Sequence, residues 1–185
     1  MIRPLIAIVL LGAVLPAAAA SPPRIDACAL LDAAQIEKAL GQAVDAGARH
    51  DAGIESNGAW SSSCVWKFAG SAPGQRGGFV ILNAMQWPPG AGRAHEFLDA
   101  FRDAAAQGVL PRAPVARRIG DEALWWGDGL AVRQGDISFG LSVHAPHTPS
   151  NNTPGAAEER LAPLVLNRLD RRQARRTDPP NSARS

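Results

Sequence analysis

Two cysteines, Cys28 and Cys64, follow a leader with the layout of a secretory signal, and this pairing constrains the fold more than any other feature. Arg3 precedes an apolar run from Leu5 to Leu15, then Pro16 and four alanines, so cleavage is expected after Ala20. That run of eleven residues would extend about 16 Å as a helix against a hydrocarbon core of about 30 Å, too short for a retained anchor. Export to the periplasm or beyond exposes the cysteines to an oxidising compartment and predicts a Cys28–Cys64 disulfide. In the chain-entropy model a closed loop of this size stabilises by roughly 3 to 4 kcal/mol. A zinc site would need at least two more ligands, and neither a C-x-x-C nor an H-E-x-x-H pattern occurs. No metal or other cofactor is expected. Cys28 lies too far beyond the apolar run to carry a lipid anchor.

Of the 185 residues, 46% are apolar and 19% charged, which excludes a disordered chain, and the lone apolar leader excludes a multi-span membrane protein. The expected organisation is a signal peptide over residues 1–20, one domain over 21–170, and a disordered basic tail over 171–185. Residues 21–167 hold twelve basic and fifteen acidic side chains, whereas residues 168–185 hold six arginines and two aspartates. No aromatic is interleaved with those arginines, so no nucleic-acid partner is expected.

Local patterns order the elements. Asp32 with Gln35 three residues on forms a capping box for a helix from Ala33 to Leu40, stopped by Gly41. Residues 42–58 carry no clear period and are expected to form a loop with at most one short extended piece. Residues 59–68 alternate with Trp60, Cys64, Trp66 and Phe68 on one side, and residues 79–86 form a second strand. Phe97, Leu98 and Phe101 mark an amphipathic helix ending near Gly108. Short strands follow at residues 115–119, 123–126, 130–133 and 137–144. A last helix has its apolar stripe at Leu161, Leu164, Val165 and Leu169, with Pro163 expected to kink it or delay its start. The predicted class is α+β: an antiparallel sheet of about five to six strands with helices packed on one face.

No nucleophile elbow, S-x-x-K pattern or phosphate-binding glycine loop is present. His144 and His147 are separated by Pro146 at a strand end, a poor setting for a shared metal. Asp121, Glu122 and Asp128 are the acids that a cell-envelope glycan hydrolase could use, but Asp121, Asp128 and Asp136 sit where turn aspartates bond backbone amides. Of the five tryptophans, Trp60, Trp66 and Trp125 fit a core. Trp87, before two prolines, and Trp126, on the second sheet face, are the candidates for ligand contact, with Arg133 and His144 sharing that face.

The segments Cys28-Ala-Leu-Leu-Asp-Ala-Ala-Gln35, Cys64-Val-Trp66 and Gly120-Asp-Glu-Ala-Leu-Trp125 resemble a family of small exported bacterial proteins of uncharacterised function, commonly lipoproteins. The resemblance implies an extracytoplasmic α+β domain related to sensor-like binding domains, with no catalytic residues to carry over. This chain departs from the lipoprotein members in lacking a cysteine at the cleavage site. The expected function is that of a non-enzymatic binding or interaction module, monomeric or weakly oligomeric, for a small ligand or an envelope protein. The rivals are the hydrolase and an envelope structural or inhibitory protein.

Overall fold

A computed structural model describes residues 24–70, 77–145 and 153–177; the leader, His147 and the end of the tail lie outside them. A single turn of 3-10 helix, Ala27–Ala29, opens the fold and leads into α1, Ala33–Leu40. The strands are β1 (Ala48–Ile54), β2 (Trp60–Lys67), β3 (Phe79–Gln86), β4 (Val115–Arg117), β5 (Glu122–Trp125), β6 (Leu130–Gln134) and β7 (Ile137–His144). Helix α2 (Glu96–Ala106) separates β3 from β4, and α3 (Ala156–Thr177) follows β7. All neighbouring strands pair antiparallel in one sheet of order β1-β2-β3-β7-β6-β5-β4.

The class is the expected one, and two features differ from the sequence reading. A seventh strand, β1, comes from the stretch expected to be mostly loop. It is an edge strand, almost wholly exposed, so no burial period marks it in the sequence. The second difference is the placement of α2. The register puts Cys64, Leu82, Leu141 and Leu130 in one row across β2, β3, β7 and β6. This face packs on the opening turn, α1 and α3, through Ile25, Leu31, Ile36, Leu161, Val165 and Leu169. Helix α2 lies on the opposite face, with Leu98 against Leu124 and Ala131. Gly140 on β7 admits it, because a Cβ there would stand 3.0 Å from the Phe97 ring.

Helix α1 has the box as read: Asp32 accepts from the Gln35 amide at 2.9 Å, and Gln35 accepts from the Asp32 amide at 3.3 Å. Gly41 closes it at φ 71°. Cys28 and Cys64 are bonded, with Cα atoms 5.1 Å apart, which fastens the opening turn to β2. Ser62 reinforces this junction by accepting from the buried Ala27 amide at 3.1 Å. Pro163 neither delays nor ends α3, which starts seven residues earlier, at Ala156. A mid-helix proline costs about 3 kcal/mol, and each fully buried apolar side chain returns about 1.5 to 3. Leu161, Val165 and Leu169, all buried, outweigh it. The helix also runs on through residues 171–177, part of the stretch expected to be disordered.

Candidate functional site

The candidate ligand-contact residues fall into three places. At the β5–β6 turn, Trp126 stacks on Phe101 with centroids 4.3 Å apart and packs beside α2. His144 stands nearby at the end of β7, its Nδ1 3.9 Å from Asp128 Oδ1 and its ring 4.6 Å from that of Phe79. Arg133 shares this face but lies at the far end of β7, paired in register with Ser138. Its guanidinium reaches Asp121 at 3.3 Å and Glu122 at 3.4 Å. His144 thus meets Phe79 and Asp128 while the Trp126 ring lies on Phe101, so the two share one end of this face, each with its own partners, and Arg133 lies at its other end.

The acids do not form a facing pair over an open cleft. Asp121 accepts from the Gly135 amide at 2.8 Å, and Asp136 from the Gly90 amide at 3.0 Å, each across the fold to a distant segment of chain where a neighbouring amide of the same turn was expected. Glu122 is bound by Arg102 and by Arg133, and the hydrogen bond from Arg102 holds its carboxyl below the ordinary glutamate value. A general acid needs the opposite shift. Asp128 is 76% exposed. Glu158 is the buried acid: it accepts from the Val143 amide at 2.8 Å, and burial pushes its carboxyl upward. Among the described residues, no group of three or more His, Cys, Asp or Glu could hold a metal ion. Nor is any described helix long and apolar enough to cross a membrane.

Trp87 occupies a different environment from the open ring expected of it. It is 1% exposed, packed against Ala59 and Ala94 where the start of α2 meets the sheet. Its neighbours nonetheless build a groove of about 220 Å³ between the β1–β2 connection and the segment that leaves β3. On one side stand Trp60 and Ile54; on the other, Gln86, Trp87, Pro88 and Pro89. Local bonds fix both walls. The Trp60 indole donates to the Ile25 carbonyl at 3.0 Å, and Arg24 lies over its ring at 4.2 Å. The Trp87 amide donates to the Asp136 carbonyl at 3.0 Å, so the hairpin between β6 and β7 holds the proline segment from both ends. Arg93 ties the remaining corner, donating to the Asn57 carbonyl at 3.0 Å.

Two polar atoms of the groove residues, Gln86 Oε1 and Trp87 Nε1, are buried with no hydrogen-bond partner. An unsatisfied buried donor or acceptor costs about 1 to 3 kcal/mol, and such groups are few in folded proteins. Ile54, at the rim, is 69% exposed. Sequence reasoning placed Trp60 in the core and passed over Ile54 and Gln86. Only the Trp87-Pro88-Pro89 run signalled this site. No family model matches the chain, and no curated protein or solved structure is significantly similar to it.

Proposed function

We propose that this chain is an extracytoplasmic interaction module whose groove receives an extended segment of an envelope protein. The observation that carries the proposal is the pair of unpartnered buried atoms, one donor and one acceptor, on adjacent residues of the groove wall. Both atoms are buried in the free chain, so a peptide unit, which offers the complementary acceptor and donor, meets them only as the Gln86 and Trp87 side chains turn toward the groove. Trp60, Pro88 and Pro89 supply flat, rigid apolar walls that suit a prolyl or aliphatic side chain, at little cost in conformational entropy. The disulfide supports the location, since such bonds persist outside the reducing cytoplasm. The resemblance to exported proteins agrees with it.

Site-specific photocross-linking tests the proposal. A benzophenone amino acid replaces Ile54 at the groove rim, or Val115, 52% exposed on the opposite edge strand, in the chain expressed with its own leader. The expected result is one adduct of discrete mass from position 54 and none from position 115. Equal adducts from both positions, or none from position 54, would overturn it.

A further inference from the structure

The two edges of the sheet are built differently. At one, β4 is three residues long and follows Pro111 and Pro114, and a short strand with prolines beside it is a common guard against edge-to-edge pairing. At the other, the first half of β1 has no such guard. From Ala48 to Asp51 it holds no proline and no lysine, keeps an unbroken register with β2 and is exposed throughout. No strand pairs with its outer side, so main-chain donors and acceptors point outward there, unused by the sheet. The register slips between Asp51 and Gly53, a bulge that bends the strand and ends this regular stretch.

The side chains of the stretch are complementary to themselves. Arg49 lies opposite Cys64 and Asp51 opposite Ser62, so both stand on the sheet face that carries the disulfide, whereas His50, opposite Ser63, stands on the other. Arg49 Nε and Nη2 donate to Asp51 at 3.0 and 2.6 Å, while Nη1 donates to Asp26 at 2.7 Å. A second, antiparallel β1 laid along this edge with a two-fold axis at His50 puts each Arg49 opposite the other copy's Asp51. The four charges then alternate in sign around the axis, and each Arg49 keeps its own Asp26. Ala48 and Ala52, both small, face each other at the ends of the pairing. An axis at Arg49 or at Asp51 would instead set like charges directly opposite, which is unfavourable, so the charges select one register. Exchanging one Asp51 for another leaves exposed ion pairing about even, and the gain is the new main-chain bonds between strands.

We infer that two copies of this chain join through β1, continuing the sheet across a two-fold axis at His50. The inference does not rest on the groove reading above: of β1 only Ile54, past the bulge, lines that groove. Sedimentation velocity over a concentration series of the exported chain is expected to show a monomer–dimer equilibrium, weak because a few strand pairs bury little surface. Arg49→Asp sets Asp opposite Asp, and Asp51→Arg sets Arg opposite Arg, so each variant alone should dimerise about tenfold or more less readily. Mixed in equal amounts, the two variants face Asp with Arg at both pairs and should form a heterodimer. A cooperative unfolding transition in each checks that the fold is kept. A second test needs neither variant. The two cysteines of the chain are bonded to each other, so His50→Cys carries a single free thiol. At the axis two such thiols stand within disulfide reach, since directly opposite residues have Cα atoms about 4.5 to 5.5 Å apart. Ala48→Cys is the control, because its two copies would lie about 14 Å apart along the strands. In a glutathione redox buffer His50→Cys should form a covalent dimer and Ala48→Cys should not. A monomer at every concentration with no His50→Cys dimer, equal dimer from both cysteines, or a dimer that both charge variants leave intact would overturn the inference. In cells exporting the His50→Cys chain, a disulfide from position 50 to a different protein would assign the edge to another partner and overturn it as well.

Discussion

Single side chains carry much of the specificity of this fold, and Gly47 is the clearest case. A Cβ at Gly47 would stand 2.6 Å from Cys64 Sγ and 2.7 Å from the Trp66 indole nitrogen, at the point where the disulfide meets β2. Gly47→Ala is therefore expected to destabilise by about 2 kcal/mol through overpacking, measured by denaturant unfolding. Glu158 gives a second prediction. Burial raises its carboxyl above the ordinary 4.5, so the folded chain keeps a proton that the unfolded chain releases. Stability from this group is full below about pH 4.5 and is lost as pH rises through the raised value. Glu158→Gln removes that loss, and its stability relative to the parent should rise as pH climbs above about 4.5. Glu122 and Asp51, held low by Arg102 and Arg49, act with the opposite sign, and they cancel in the comparison because both proteins retain them.

At the scale of elements, local devices were legible and tertiary placement was not. Asp32, Gln35 and Gly41 define α1 within ten residues of chain, so the sequence bounds that helix fully. Asp32 also binds Arg168 of α3, across the helix pair. Asp32→Ala should cost about 1 to 2 kcal/mol, chiefly through the lost cap, seen as a lower thermal midpoint. The stripe Phe97, Leu98, Phe101 tells that α2 buries one side but not which sheet face receives it; Gly140 and Ala131, small residues on β7 and β6, decide that. Residues 48–54 form a full strand where a loop with one short extended piece was expected, because their pairing comes from β2 rather than from a buried face of their own. The groove was half legible, through Trp87 and its prolines. Gln86 and Ile54 join it only through the packing of distant chain segments.

For the whole molecule, the disulfide joins an opening segment of little regular structure to β2, one strand in from the edge of the sheet. Reduction, or Cys28→Ser with Cys64→Ser, should lower stability by about 3 kcal/mol in chemical unfolding while leaving the sheet signal in circular dichroism intact. Loss of that signal under native conditions would mean that the link is needed for folding itself. Function, on this account, sits where two halves of the chain meet: Trp60 and Ile54 come from one hairpin, and the Trp87 segment is clamped by another. The most direct test is the nitrogen–proton spectrum of the five indoles, recorded while the partner captured from position 54 is titrated in. Trp87 Nε1–H is predicted to move downfield as it gains an acceptor, and Trp60 to shift with it, while Trp66 and Trp125 stay still. A spectrum in which Trp126 moves and Trp60 and Trp87 do not would contradict the account.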